Sequence, residues 1–264
     1  MTEGATSPPA AARDLGGLNI LITGASSGIG AALARGVAEA GAAAVAVHYN
    51  TGRDGAEEVL RQLSALGVDA AHFQADLSAG GAAEDLVRGV IDRFARIDVL
   101  INNAGTLVER RPVPEMDDAY YNAVLDANLY STVACCRAVL PNMIRRRSGT
   151  VINVSSVAAR IGGGNGAALY AAAKGAVSTF TRGLAREVAG HGIRVNAISP
   201  GTIATPFHER FTSPEALAAV TATIPMGRLG RADELVGPTV FLASDASSYV
   251  TGQIIEVNGG QYSP

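Results

Sequence analysis

Seven short apolar runs punctuate the chain: Asn19–Thr23, Ala44–His48, Ala70–Ala75, Val99–Asn102, Thr150–Val154, Arg194–Ser199 and Ile254–Val257. Most are continuous stretches of Val, Ile, Leu and Ala rather than apolar–polar alternations, the pattern of strands buried on both faces. Between them, apolar residues recur at helical spacing in Ile29–Ala40, Ala56–Leu66, Ala82–Phe94, Asp118–Arg146, Ala167–Ala189 and Ala232–Ala243. This strand–helix alternation predicts right-handed crossovers, and therefore an α/β fold: a doubly wound parallel sheet of about seven strands with helices on both faces. No internal repeat or linker divides the chain, so residues 18–264 are expected to form a single domain. Only the proline-punctuated segment 200–230 breaks the rhythm. Ligands in such sheets sit beyond the carboxyl ends of the strands, so an excursion after the sixth strand reads as a substrate lid.

Composition changes this picture little. The chain has 264 residues, 48% of them hydrophobic, enough for a large core. Residues 1–17 lack the basic start and apolar run of a signal peptide and read as a flexible tail. A net charge of −3 gives no electrostatic reason to expect nucleic acid or an anionic membrane as a partner. The longest basic run, Arg145–Arg147, suits a helix C-terminus. No stretch is expected to span a membrane. Adjacent residues on a helix point about 100° apart, so Cys135 and Cys136 read as two reduced, buried thiols rather than a disulfide. That usage fits a cytoplasmic protein. The histidines at 48, 72, 191 and 208 share no metal-ligand spacing, and no metal site is expected.

The chemistry concentrates at the strand ends. The first strand runs into Thr23-Gly24-Ala25-Ser26-Ser27-Gly28-Ile29-Gly30 and then a helix. Glycines there let the backbone approach a pyrophosphate, whose charge the helix N-terminus favours. Asn102-Asn103-Ala104-Gly105 closes the fourth strand, and Ser155-Ser156 the fifth. Tyr170 and Lys174 lie four residues apart, on one helix face. An ammonium beside a phenol lowers its pKa from about 10, readying it to exchange protons near neutrality. Lys174 is the sole lysine among 21 basic residues, a compact ammonium retained where the chain otherwise uses arginine.

Taken in order, the Thr23–Gly30 loop, Asn102–Gly105, Asn128, Ser156, Tyr170 with Lys174, and Pro200-Gly201 resemble the short-chain dehydrogenase/reductase family across residues 18–264. The resemblance implies a Rossmann-type fold and an NAD(P)-dependent oxidoreductase moving hydride between the nicotinamide and a carbonyl or secondary alcohol. By that resemblance Tyr170 is the acid/base, Lys174 also meets the nicotinamide ribose, Ser156 polarises the substrate oxygen and Asn128 holds a relay water. Ser156 stands fourteen positions before Tyr170, one more than usual, the extra residue falling in Ile161–Gly166; Ser155 is the competing choice, because adjacent strand residues face opposite ways. Cofactor contacts are expected from Gly24, Ser26, Ser27, Gly28, Ile29 and Gly30. The second-strand tip adds Tyr49, Asn50, Thr51 and Arg53. Asp76 and Leu77 follow the third strand, and Asn103, Ala104 and Gly105 the fourth. Pro200, Gly201, Ile203 and Thr205 complete the set with Tyr170 and Lys174.

The second-strand tip carries no acid to grip the ribose hydroxyls. NADP is therefore favoured over NAD, although Ser27 stands where many NADP-using relatives have arginine. Within the family, Thr106–Arg111, Gly162–Gly164, Phe207-His208 and Asn258–Tyr262 resemble bacterial reductases of uronate-derived α-keto acids. Arg110, Arg111 and His208 are the candidates to meet a substrate carboxylate. The alternatives are a 3-oxoacyl-acyl-carrier-protein reductase, with Arg147 and Arg186 receiving the acidic carrier, and a sugar 1-dehydrogenase. A catalytically silent nucleotide-binding regulator would be expected to lose Tyr170, Lys174 or Ser156, which are all present. The apolar faces of Asp118–Arg146 and Ala167–Ala189 exceed what one sheet face can cover, and family members commonly assemble there, so a homotetramer is expected.

Overall fold

The computed structural model describes residues 15–263. All seven apolar runs are strands: β1 (Asn19–Ile22), β2 (Ala44–Tyr49), β3 (Asp69–Gln74), β4 (Val99–Asn102), β5 (Gly149–Val154), β6 (Ile193–Pro200) and β7 (Ile254–Val257). They form one parallel sheet in the order β3-β2-β1-β4-β5-β6-β7. The order reverses between β1 and β4, which opens a crevice at their carboxyl ends. Successive strand residues alternate between two cores. Ile20, Ile22, Val45, Val47 and Ile101 pack on one face with Leu33 and Val37 of helix α1 (Gly28–Glu39) and Val59 of α2 (Arg53–Ala65). Leu21, Ala46, Leu100, Val151 and Val195 pack on the other, against Val90 of α3 (Ala82–Phe94) and two longer helices described next.

The expected helix Asp118–Arg146 is three pieces. α4 (Asp118–Leu125) passes into a π-helical turn, Asp126–Tyr130, and then α5 (Ser131–Arg146). The widened turn buries Asn128 completely. Such single-turn insertions are frequent at functional sites. By length and hydropathy this 29-residue run could cross a bilayer, contrary to the sequence expectation. Here it is a core helix, with Cys135, Val139 and Met143 wholly buried beneath the sheet. Both cysteine thiols are buried and free, and burial pushes Cys135 up to about 12.

After β5 come the short α6 (Ala158–Ile161) and the long α7 (Ala168–Val188). The 200–230 segment is more ordered than its composition implies, folding into α8 (Pro206–Phe211) and α9 (Pro214–Thr223). Both begin on proline, whose fixed φ suits the first helical position. α10 (Val236–Ala243) completes the sheet cover, preceded by a 3-10 turn over Ala232–Leu235. The expected tail lies outside the described residues as far as residue 14. Its last part is packed: Leu15 is fully buried, its amide donates to Ala40 O, and Gly16 bridges Ala42. Leu15 and Gly16, read from the sequence as part of the tail, are therefore packed against the fold.

Candidate active site

The loop from β1 to α1 is held rigidly on two sides. Thr23 Oγ1 accepts the amides of Asn103 and Ala104, each at 3.0 Å, which ties the loop to the end of β4. The Asn103 side chain donates to the carbonyls of Thr23 (3.0 Å) and Gly24 (2.9 Å). Glycine is required where this packing is closest. A Cβ on Gly30 would lie 2.3 Å from Gly24 O, and Gly24 itself sits at φ +62° with Ala104 Cα 2.9 Å from any added Cβ. Backbone pressed this closely leaves a groove no side chain obstructs. The groove runs along the carboxyl ends of the strands as a cleft of about 550 Å³, within the range of small-molecule sites. Ser26, Ser27, Gly28 and Ile29 line it at the positive end of α1. The backbone cradle and the cleft's length across β1, β4 and β5 fit a dinucleotide.

Deeper in, β5 and α7 bring together the residues read from the sequence as catalytic candidates. Ser155 Oγ is buried and bonded to Lys174 O (3.0 Å) and Ser178 Oγ (2.7 Å), so it serves α7. Ser156 faces the cleft together with Tyr170 and accepts the Ala158 amide at 3.1 Å. Lys174 is 3% exposed; its Nζ donates to Val154 O (2.9 Å) and lies 5.9 Å from the Tyr170 ring centroid. Asn128 is fixed by three bonds: its Nδ2 donates to Thr106 O (2.7 Å) and Val124 O (2.8 Å), and its Oδ1 accepts the Thr106 amide (3.1 Å). Asn128 Oδ1 and Lys174 Nζ both press on Gly105, where an added Cβ would lie 2.7 and 3.1 Å from them.

The electrostatics differ from the sequence expectation. Tyr170 is not lowered; burial pushes it up to about 12, with the Ser156 hydrogen bond pulling partly back. Burial also brings Lys174 down to about 8. Desolvation penalises the charged form of each and is the leading cause of both shifts. Tyr170 is thus a neutral phenol near pH 7, a form that can donate a proton to a carbonyl oxygen.

The outer wall is built by α8 and α9, the segment read from the sequence as a lid. Phe207 lies over Tyr170 (centroids 5.9 Å) and packs on His208 (5.2 Å) and Phe211 (5.1 Å). Arg110 ties its loop to two other chain segments, donating to Phe211 O (2.5 Å) and Thr212 Oγ1 (3.4 Å) in one and to Asn165 O (2.9 Å) in the other. His208 bonds Thr212 Oγ1 at 3.0 Å, and burial together with the Arg110 charge lowers its pKa. Arg111 is not in this wall. It donates to the carboxylates of Glu109 and Asp117 and lies over the Tyr120 ring, so it is spent on the fold.

At the other end, Asn50 and Thr51 line the cleft, but four expected contacts do not. Tyr49 is buried edge-on against His72, and Leu77 is a core residue. Asp76 Oδ1 accepts from the amide (3.0 Å) and hydroxyl (2.6 Å) of Ser78, holding a turn. Arg53 is exposed and paired with Glu57. Asn103, Ala104, Pro200, Gly201, Ile203 and Thr205 all reach the cleft. Sequence reasoning missed Arg210, Leu217 and Val220 of the lid helices and Gln261, whose Oε1 accepts the Thr202 amide (3.2 Å). The signal was available in part: Thr205-Pro206 and Ser213-Pro214 each read as an N-cap followed by proline at the first helical position.

This fold and this site define the chain's class: it belongs to the short-chain dehydrogenase/reductase family and is an NAD(P)-dependent oxidoreductase. A family model described as enoyl-(acyl carrier protein) reductase matches residues 24–262. The chain is 39% identical to a 3-oxoacyl-(acyl-carrier-protein) reductase of Staphylococcus aureus, over 92% of this chain and 97% of that protein. It is 40% identical to a 2-dehydro-3-deoxy-D-gluconate 5-dehydrogenase of Pseudoalteromonas atlantica, over 91% and 94%. Among solved structures, an NADH-dependent reductase responsible for alginate metabolism matches at 38% identity, with a TM-score of 0.87 and 96% and 100% of the two chains covered. A Burkholderia cenocepacia gluconate 5-dehydrogenase in complex with NADP and tartrate matches at 34% identity, with a TM-score of 0.88 over 95% and 97%.

Proposed function

We propose that this enzyme uses NADPH to reduce the carbonyl of a small anionic substrate, an α-keto acid or a sugar-derived acid. The observation carrying the reading is the lid wall. Arg110 and Arg210 both line the cleft, and among the described residues neither has a carboxylate partner. An uncompensated guanidinium facing a partly desolvated cleft favours a carboxylate ligand. The tartrate complex and the gluconate and alginate relatives, all handling acids by their names, support the same reading. Arg210 is the cleaner probe, because Arg110 also holds the lid. Arg210→Ala is expected to raise KM for an α-keto acid by roughly tenfold and to leave a neutral diketone within twofold. Equal effects on both, or a better rate on acetoacetyl thioesters, would favour the carrier-protein reading, in which exposed Arg147 and Arg186 receive the acidic partner.

In the proposed reduction the substrate oxygen lies between Ser156 and Tyr170. The Ser156 hydroxyl donates to it and polarises the carbonyl, and Tyr170 delivers the proton as the alkoxide forms. Bound NADPH supplies the hydride. Lys174, held on Val154 O, orients the ribose and keeps positive charge beside the phenol as it ionises. Asn128 is proposed to hold the water that returns a proton to this pair.

NADPH is favoured by the neutral tip of β2. Asn50 and Thr51 line the cleft beside the N-terminus of α2, and among the described residues no carboxylate lines it there. A 2′-phosphate is accepted by such donors and repelled by an acid. The NADP complex of the Burkholderia enzyme agrees, whereas the alginate-metabolism reductase is NADH-dependent. Asn50→Asp should therefore lower kcat/KM for NADPH at least tenfold and spare NADH, a roughly 1.4 kcal/mol discrimination. An unmodified enzyme that prefers NADH would overturn the cofactor reading. We further propose a cytoplasmic homotetramer, supported by exposed apolar residues such as Tyr121 on α4, Val113 and Tyr249. Light scattering at micromolar concentration is expected to give four times the chain mass of 26.9 kDa; a monomer contradicts it.

A further inference from the structure

His48 lies at the end of β2, 2% exposed, and takes no part in the chemistry above. Its ring has two defined partners. Nδ1 accepts the Gly24 amide at 3.0 Å, and Nε2 lies 3.0 Å from Ala75 O. A carbonyl can only accept, so Nε2 carries the proton; the Gly24 amide can only donate, so Nδ1 presents its lone pair. The contacts thus select one neutral tautomer. The same residue's carbonyl accepts the Ala25 amide at 2.8 Å, so His48 grips two consecutive amides of the glycine loop. On the opposite side, Gly24 O is held by Asn103 Nδ2. The Gly24 peptide groups are therefore pinned between strands β2 and β4, at the turn where the loop bends towards the amides of α1.

We infer that His48 is a positioning residue for the dinucleotide: its neutral ring holds the first peptide of the glycine loop in the binding orientation, and this makes cofactor affinity acid-sensitive. The inference rests on the reading that the glycine loop holds the cofactor. A second proton on the ring places an N–H against the Gly24 N–H. The hydrogen bond is lost and two donors face each other in a buried site. The loop must then rotate or move, and the groove that Gly24 and Gly30 keep open moves with it. Among the described residues the charged group acting on the ring is Asp76, in the turn after β3, which favours the proton; burial opposes it more strongly. His48 therefore stays neutral through neutrality. The folded state holds fewer protons here than the unfolded chain, so the effect emerges only as pH falls below about 6.5.

The test is NADPH affinity, read by fluorescence titration of the purified enzyme at pH 7.5 and pH 5.5, without turnover. His48→Asn places Oδ1 where Nδ1 stands, an acceptor that does not protonate. This variant should bind NADPH within about threefold of wild type at pH 7.5 and show a shallower loss at pH 5.5. His48→Val removes the acceptor and should weaken binding roughly ten- to a hundredfold at pH 7.5. The cofactor's own phosphate titrates near pH 6, but identically in every variant, so the comparison between variants isolates the ring. The inference is overturned if His48→Asn loses affinity with falling pH as steeply as wild type, or if folded His48→Val binds as wild type does at pH 7.5. If His48→Val does not fold, the Asn comparison decides alone. Wild type that binds neither NADPH nor NADH at either pH instead refutes the reading of the loop as the cofactor site.

Discussion

Tyr170→Phe is expected to lower kcat for carbonyl reduction by about 10²- to 10⁴-fold while leaving Kd for NADPH within about threefold. The ring keeps its place under Phe207 at 5.9 Å, so the lid contact survives and only the proton donor is removed. Lys174 keeps its bond to Val154 O, which does not involve the phenol. A pH profile of the wild-type enzyme checks the same assignment from another direction. With Tyr170 held near 12, the proposed acid stays protonated across the working range. The group that titrates is Lys174, charged below about 8 and neutral above it. Reduction should therefore decline as pH rises through about 8, and Lys174→Arg should move that limb upwards. Turnover by Tyr170→Phe within tenfold of wild type would sink the assignment of the acid.

Gly105→Ala should damage both cofactor binding and turnover by roughly ten- to a hundredfold each, although the change adds one methyl group. Its Cβ would meet Asn128 Oδ1 at 2.7 Å and Lys174 Nζ at 3.1 Å. Neither neighbour has room to yield. Asn128 is bonded to both the amide and the carbonyl of Thr106 and to Val124 O, within a π turn that exists around it. Lys174 can retreat only by giving up Val154 O, its single hydrogen-bond acceptor among the described residues. Overpacking a well-filled site costs about 1–3 kcal/mol, and here it falls on the groups that set the ammonium's position. Calorimetry should show a fall in Tm of several degrees, and single-turnover kinetics a slower chemical step. Wild-type kinetics in this variant would show that the packing around Gly105 is looser than the geometry states.

The central strands β1, β2, β4, β5 and β6 were legible because burial on both faces leaves a largely apolar run, with successive residues alternating between two cores. The glycine loop, Asn102–Gly105 and the Tyr170–Lys174 pair were legible because their backbone or spacing requirements are local. Three features were not. The π turn at Asp126–Tyr130 hides inside a continuous helical pattern, since one extra residue per turn barely disturbs a 3.6 periodicity. The lid helices begin on Pro206 and Pro214, which interrupt apolar periodicity although they are good helix starts. Arg110 and Arg111 are neighbours in an irregular segment, and only tertiary packing sends one to the lid and the other to Asp117. The direction of the Tyr170 shift was misread for a related reason: spacing shows the ammonium, but not the desolvation that is the leading cause of the shift. The Ser155–Ser156 pair lies between these cases. Strand parity requires one of them to face away, and the bonds to Lys174 O and Ser178 Oγ decide which.

The burial of Lys174 also governs how this protein meets amine chemistry. Since no other lysine exists in the sequence, no ε-amino group stands on the surface. Acylating labels, lysine crosslinkers and amine-coupled supports are left with a chain terminus, and enzymatic conjugation at lysine has no exposed acceptor. Tryptic cleavage of the native protein falls to arginine alone. Any acyl group that does reach residue 174 must arrive through the cleft and as the free amine, a form that burial makes available from about pH 8. Such a reagent would count active sites one per chain, and a dinucleotide in the cleft would shield the amine from it.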